Sequence, residues 1–80
     1  MAAGNLPQNA QPEPWERQEG ESAQAFQGFA AYRDMGAERS LAKVAQKLGK
    51  SKALMERWSV RWQWVMRADL WDDEMDRLSR

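Results

Sequence analysis

Eighty residues with twelve basic and twelve acidic side chains, and neither cysteine nor histidine, allow one small domain and exclude both a disulfide framework and the usual transition-metal sites. A domain of this size buries only ~60% of its unfolded surface, so the five tryptophans, Trp15, Trp58, Trp62, Trp64 and Trp71, are expected to hold the core together, each burying ~150–250 Å². The formal charge of zero hides a strong segregation along the chain: residues 39–67 carry eight basic side chains against Glu56 alone, a net +7, whereas residues 1–38 carry −4 and residues 68–80 carry −3.

Residues 1–20 read as a flexible N-terminal tail and residues 21–80 as the folded domain. Pro7, Pro12 and Pro14, set among Gln, Asn, Gly and Glu, cannot sustain a helix or bury much surface. Trp15 is the exception and is expected to pack back onto the domain. The tail lacks the basic and apolar regions of a signal peptide, and no later apolar run approaches the ~18 residues of a membrane span. Together with the lack of cysteine, this predicts a soluble protein of a reducing cytoplasm.

A first helix is predicted from Ser22, whose hydroxyl can cap free backbone N–H groups while Glu19 and Glu21 lie at the positive end of the helix dipole. Phe26, Phe29, Ala30 and Arg33 follow helical spacing, and Gly36 is the expected stop. A second helix starts at Ser40 and carries the cleanest apolar stripe, Leu41, Val44, Ala45 and Leu48, with Lys43 and Lys47 pointing away. Gly49 interrupts it. Ser51 can cap a third helix in which Leu54, Met55, Trp58 and Trp62 share the inward face. A fourth is expected from Gln63 or Trp64, with Trp64, Ala68, Trp71, Met75 and Leu78 on one side and Asp69, Asp72, Asp73 and Asp76 on the other; a single bent helix in place of the third and fourth is the alternative. At the junction, Trp62 and Trp64 are the tryptophans expected to be partly exposed.

The fold class that follows is all-α, a small helix-turn-helix bundle of three to four helices with a disordered N-terminal tail. Two short helices meeting steeply need a small residue at the approach, a glycine four positions later where the turn takes positive φ, and apolar residues facing inward on the second helix. Ala45, Gly49, and then Met55 and Trp58 at ten and thirteen positions after Ala45 meet those needs. A positive surface on such a unit is the footprint of a double-stranded DNA binder.

The order ES-x-x-AF, YRDMG, RSL-x-x-VA-x-x-LG-x-S, then W-S-x-x-W-x-W-V before an acidic helix, resembles the N-terminal helix-turn-helix of phage and prophage small terminase subunits over roughly residues 15–78. The central portion also resembles homeodomain-like modules of transposases and repressors. The terminase resemblance implies recognition of viral DNA for genome packaging, in the host bacterial cytoplasm, and delivery of that DNA to a terminase large subunit with ATPase and nuclease activity. Small terminases usually add an oligomerisation region that forms rings, and no segment of this chain is identifiable as one, so a homo-oligomer would form through a region not recognised here.

With the third helix in the major groove, its outward side carries Ala53, Glu56 and Val60, flanked by Lys52, Arg57 and Ser59. Lys52 and Arg57 are the expected base readers, since arginine pairs bidentately with guanine O6 and N7, and Ala53 is small enough to meet a thymine methyl. Glu56 is placed either to accept from cytosine N4 or to pair with Lys52 along the helix. Lys43, Lys47, Lys50, Ser51 and Arg61 are assigned to phosphates, which position without specifying, with the N–H groups after Ser51 adding an anion site. Two other functions stay open: a phage or transposon-type regulator, and a protein-interaction bundle that docks a helix on the face of Trp64, Trp71, Met75 and Leu78. An enzyme is not expected, because no Gly-rich phosphate loop is present and neither Cys nor His can serve as nucleophile or base. No cofactor is expected, and Asp72, Asp73, Glu74 and Asp76 read as a solvated acidic face rather than a Mg²⁺ site.

Overall fold

The structure, a computed structural model, describes residues 11–80. Four helices follow one another, α1 (Ala23–Asp34), α2 (Leu41–Leu48), α3 (Lys52–Trp62) and α4 (Trp64–Leu78), with a short 3-10 turn over Gly36–Glu38 between the first two. No strand occurs among the described residues.

Three serines start three of the helices, each as its position in the sequence predicts. The Ser22 hydroxyl accepts from the Ala25 N–H at 3.0 Å, Ser40 from Lys43 at 3.2 Å and Ser51 from Leu54 at 3.1 Å. Each removes one orphan donor from a helix end, worth typically ~1 kcal/mol. Gly49 closes α2 in the left-handed region at φ +67°, and the next N–H, from Lys50, returns to the Ala45 carbonyl at 2.9 Å. The boundary between α3 and α4 is a single residue. Gln63 takes φ +55° and ψ +50°, the one non-glycine residue with positive φ among those described, at an intrinsic cost of roughly 1–2 kcal/mol. The two helices are therefore separate, and α4 starts at Trp64.

Phe29, Val44, Ala45, Met55, Trp64 and Ala68 form the buried cluster, so every helix contributes to one core. Trp64 sits at its centre with 0% exposure, its ring 6.2 Å from Phe29 and 5.6 Å from Tyr32. The expectation that Trp64 would be partly exposed at the junction is thus overturned, while Trp62 is half-buried. The left-handed turn at Gln63 is what places the first residue of α4 over α1. Gly28 in the middle of α1 accommodates it: a Cβ there would stand 3.0 Å from Trp64 Cη2 and 3.4 Å from Trp58 Cε3. Leu78 departs from its predicted stripe as well, being 60% exposed. Residues 76–80 are all exposed, so the last turn of α4 has nothing to cover.

Ahead of α1, the described part of the segment expected to be tail lies against the bundle; the rest, residues 1–10, falls outside the described residues. Trp15 packs on Trp71 with ring centroids 6.0 Å apart. Arg33 reaches the Trp15 carbonyl at 2.9 Å, and its guanidinium lies 4.8 Å from the Trp71 ring centroid. Arg67 fastens the segment more deeply. Its guanidinium pairs with the buried Glu21 carboxylate through two contacts of 3.0 Å, and donates to the carbonyls of Pro14 (2.7 Å), Glu16 (3.0 Å) and Trp62 (2.9 Å). A charge taken out of water needs this degree of satisfaction. The folded unit therefore reaches back to Pro14, ahead of the boundary at residue 21 read from composition.

Candidate nucleic-acid interface

The unit formed by α2, the Gly49 turn and α3 packs through Val44, Ala45 and Met55, all buried. Burying those residues obliges the opposite sides of both helices to face water. Lys43, Lys47, Lys50, Ser51, Lys52, Ala53, Glu56, Arg57 and Arg61 are all exposed, so every side chain predicted to meet DNA is accessible, and Lys52 and Arg57 are not covered by the acidic end of the chain.

Their electrostatic states differ. Lys47, Lys50, Arg57 and Arg61 have no ion pair among the described residues, and the Arg61 guanidinium carbon lies 4.7 Å from the centroid of the Trp62 ring. Lys52 Nζ stands 3.8 Å from the Glu56 carboxylate, one helical turn on. The separation is too long for a hydrogen bond, and both side chains are more than half exposed, so the pair is worth little and can open. Lys43 turns back to the Glu38 carbonyl at 3.1 Å and lies 3.7 Å from its carboxylate. The Ser51 oxygen already accepts the N-cap hydrogen bond, leaving its O–H to donate.

Two members of the basic run do not join this surface. Arg67 is buried in the Glu21 pair. Arg39 donates to the Asp72 carboxylate at 2.6 and 2.8 Å and to the carbonyls of Tyr32 and Arg33 at 3.0 and 2.6 Å. The Arg39 hydrogen bonds hold the Asp72 carboxyl below its ordinary range, against a smaller opposing effect of burial, and Asp72 raises Arg39 in return. Of the eight basic residues counted in sequence, six remain on the surface, and with Glu56 the local net is +5. The correction has a plain cause: a charge count along the chain cannot tell a solvated guanidinium from one buried in a network.

The acidic residues of α4 are mostly engaged. Besides Asp72, Glu74 pairs with Arg77 at 2.6 Å and Asp76 with Arg80 at 2.7 Å, and the Arg77 hydrogen bonds hold Glu74 below its ordinary range. Among the described residues no group of three or more carboxylates could hold a metal ion.

Concavities occur at two places of interest among the described residues. One lies between the Pro12–Pro14 segment and the α3–α4 turn, bordered by Trp62, Gln63 and Met66; of its two guanidinium groups, Arg67 is saturated by its own hydrogen bonds and Arg61 is exposed. The other is a shallow groove on the outer face of α3, lined by Ala53, Glu56, Arg57, Trp58, Val60 and Arg61. Val60, on the outward side of the helical wheel, lies outside the contacts predicted from the sequence and lines this groove. Its signal was available: a β-branched apolar residue on a polar face.

Compared with family models, curated proteins and solved structures, the chain matches none of them. No described helix is long and apolar enough to cross a membrane.

Proposed function

We propose that this chain is a double-stranded DNA-binding module that presents α3 to the major groove. The observation that supports this best is the set of cations on α2, the turn and α3, exposed and largely unpaired, while five carboxylates lie on α4, three of them in ion pairs. Phosphates would be met by Lys43, Lys47, Lys50 and Arg61 and by the N–H groups that follow Ser51, setting the register of the helix. Lys52, Arg57 and Ala53 would face base edges, Arg57 as a bidentate donor to guanine. Glu56 would either accept from cytosine or remain with Lys52. The acidic α4 would face away from the duplex, because like charge excludes it from phosphate.

The finer reading, recognition of viral DNA for packaging as part or all of a terminase small subunit, is supported by the sequence resemblance. Delivery to a large subunit belongs to that proposal.

Titrating a duplex at increasing salt tests the binding function. Three to five phosphate contacts give a slope of log K against log salt of roughly −3 to −4.5; a flat profile sinks the proposal. Lys52→Ala and Arg57→Ala should weaken a selected site more than random duplex, and equal losses on both would reassign the two residues to phosphates. A large terminase gene beside this one, and co-purification of its product with this chain, test the packaging role.

A further inference from the structure

Val60 is 82% exposed, the most exposed of the large apolar residues among those described, and it stands on the outer face of α3. Every other large apolar residue of that helix, Leu54, Met55, Trp58 and Trp62, is at least half-buried. A β-branched residue is a weak helix former, and nothing in the packing asks for one here. Its neighbours are informative. Arg57 lies one turn before it and Arg61 beside it, both exposed and without an ion pair among the described residues, and the three share one groove with Ala53 and Trp58. An apolar side chain framed by two guanidinium groups suits a ligand that offers hydrogen-bond acceptors around an apolar group. The major groove offers one such group, the C5-methyl of thymine, between base-edge acceptors such as guanine O6 and N7 on the Arg57 side and phosphate on the Arg61 side.

Resting on the DNA-binding proposal, the geometry points to Val60 as a second specificity residue of α3, which recognises the C5-methyl group of a thymine. The helix rises ~1.5 Å per residue, so Val60 stands ~10 Å beyond Ala53, a span of about two to three base steps for a helix lying along the groove. The preferred site therefore contains two thymine methyl contacts about two to three base pairs apart, with the Arg57 contact between them. Val60 adds discrimination without adding charge, so it leaves the salt dependence of binding unchanged.

The test uses the full chain and a duplex obtained by selection from random sequence. Each thymine of the selected site is replaced in turn by deoxyuridine, which removes the methyl and keeps the pairing. Affinity should fall about three- to five-fold at the Val60 position, the size expected for one methyl group returned to water. Val60→Ala should bind the thymine and uracil forms of that position equally, with the same salt slope as the parent. Uracil substitutions without effect at every position, or a Val60→Ala variant that still separates thymine from uracil there, overturn the inference while duplex binding stands. A chain that binds no duplex at low salt overturns the DNA-binding proposal and this inference together. Because Val60 is exposed, circular dichroism melting should be the same for variant and parent, so lost discrimination cannot be ascribed to unfolding.

Discussion

Arg57 on α3 and Arg67 on α4 stand ten residues apart in a run that is basic throughout, and the fold uses them in opposite ways. Around Arg57, apolar side chains point inward and the charged ones are left in water, because α2 and α3 pack through Val44, Ala45 and Met55 with Leu41, Leu48, Leu54 and Trp58 around them. Around Arg67 the geometry reverses. The guanidinium is inside, satisfied by Glu21 and three carbonyls, and it fastens the segment before α1 to the end of α3 and the body of α4. One part of the molecule leaves its cations in water, and the other engages them with Glu21, Asp72 and backbone carbonyls. A basic residue is informative about binding only after its own hydrogen bonds have been counted.

The contrast can be broken most severely at Glu21. Glu21→Ala leaves a buried guanidinium unpaired and should cost about 3–5 kcal/mol, a large share of the roughly 4–12 kcal/mol expected for a domain of this length. Urea unfolding measures it; a loss below about 1 kcal/mol would mean that water replaces the carboxylate. Gly28→Ala comes next. The new methyl would press on the Trp64 ring 3.0 Å away, and overpacking of this kind costs about 1–3 kcal/mol, partly offset by the better helix propensity of alanine. A variant more stable than the parent would show that Trp64 can shift.

At the seam between the halves, Gln63→Gly should stabilise by about 1 kcal/mol through relief of the left-handed conformation, seen as a rise of roughly 4–8 °C in Tm. An unchanged or lower Tm would mean that the flexibility gained by the unfolded chain outweighs that relief. The Arg39–Asp72 pair is a smaller lever. Asp72 titrates lower folded than unfolded, so its contribution is present above the ordinary carboxylate pKa of ~3.9 and is lost as pH falls through the depressed folded value. Half-exposed as it is, the effect should be slight. Asp72→Asn should flatten that part of the acid limb in melts between about pH 2 and 6; identical acid limbs would assign the decline to other carboxylates. Least of all should Lys47→Ala and Arg57→Ala disturb folding, staying within about 0.5 kcal/mol of the parent, although both are proposed to weaken DNA binding. A larger loss would place them with the inward-spent cations.

Much of the fold is legible in the sequence alone. Ser22, Ser40 and Ser51 announced helix starts because a hydroxyl beside an unpaired N–H acts locally. Gly49 announced a turn because only backbone freedom was required there. The outward placement of Lys52, Ala53, Glu56 and Arg57 followed from the inward placement of Leu54, Met55 and Trp58, since a helix has a fixed period. Trp64 was misplaced because its burial depends on Gln63 taking a conformation that glutamine seldom adopts, and no local pattern signals that. The candidate site was legible in its members but not in its charge, because Arg39 and Arg67 are withdrawn by partners 33 and 46 residues away.

Short-range chemistry was therefore written into the order of residues: where helices start, where the chain turns, and which side of α3 meets water. Contacts between distant segments decided the remainder, namely the indole at the centre of the core, the segment held back to Pro14, and the number of cations left outside. The division has one physical cause. Capping and periodicity act over three or four residues, whereas burial of a guanidinium or a tryptophan needs groups that only folding brings together.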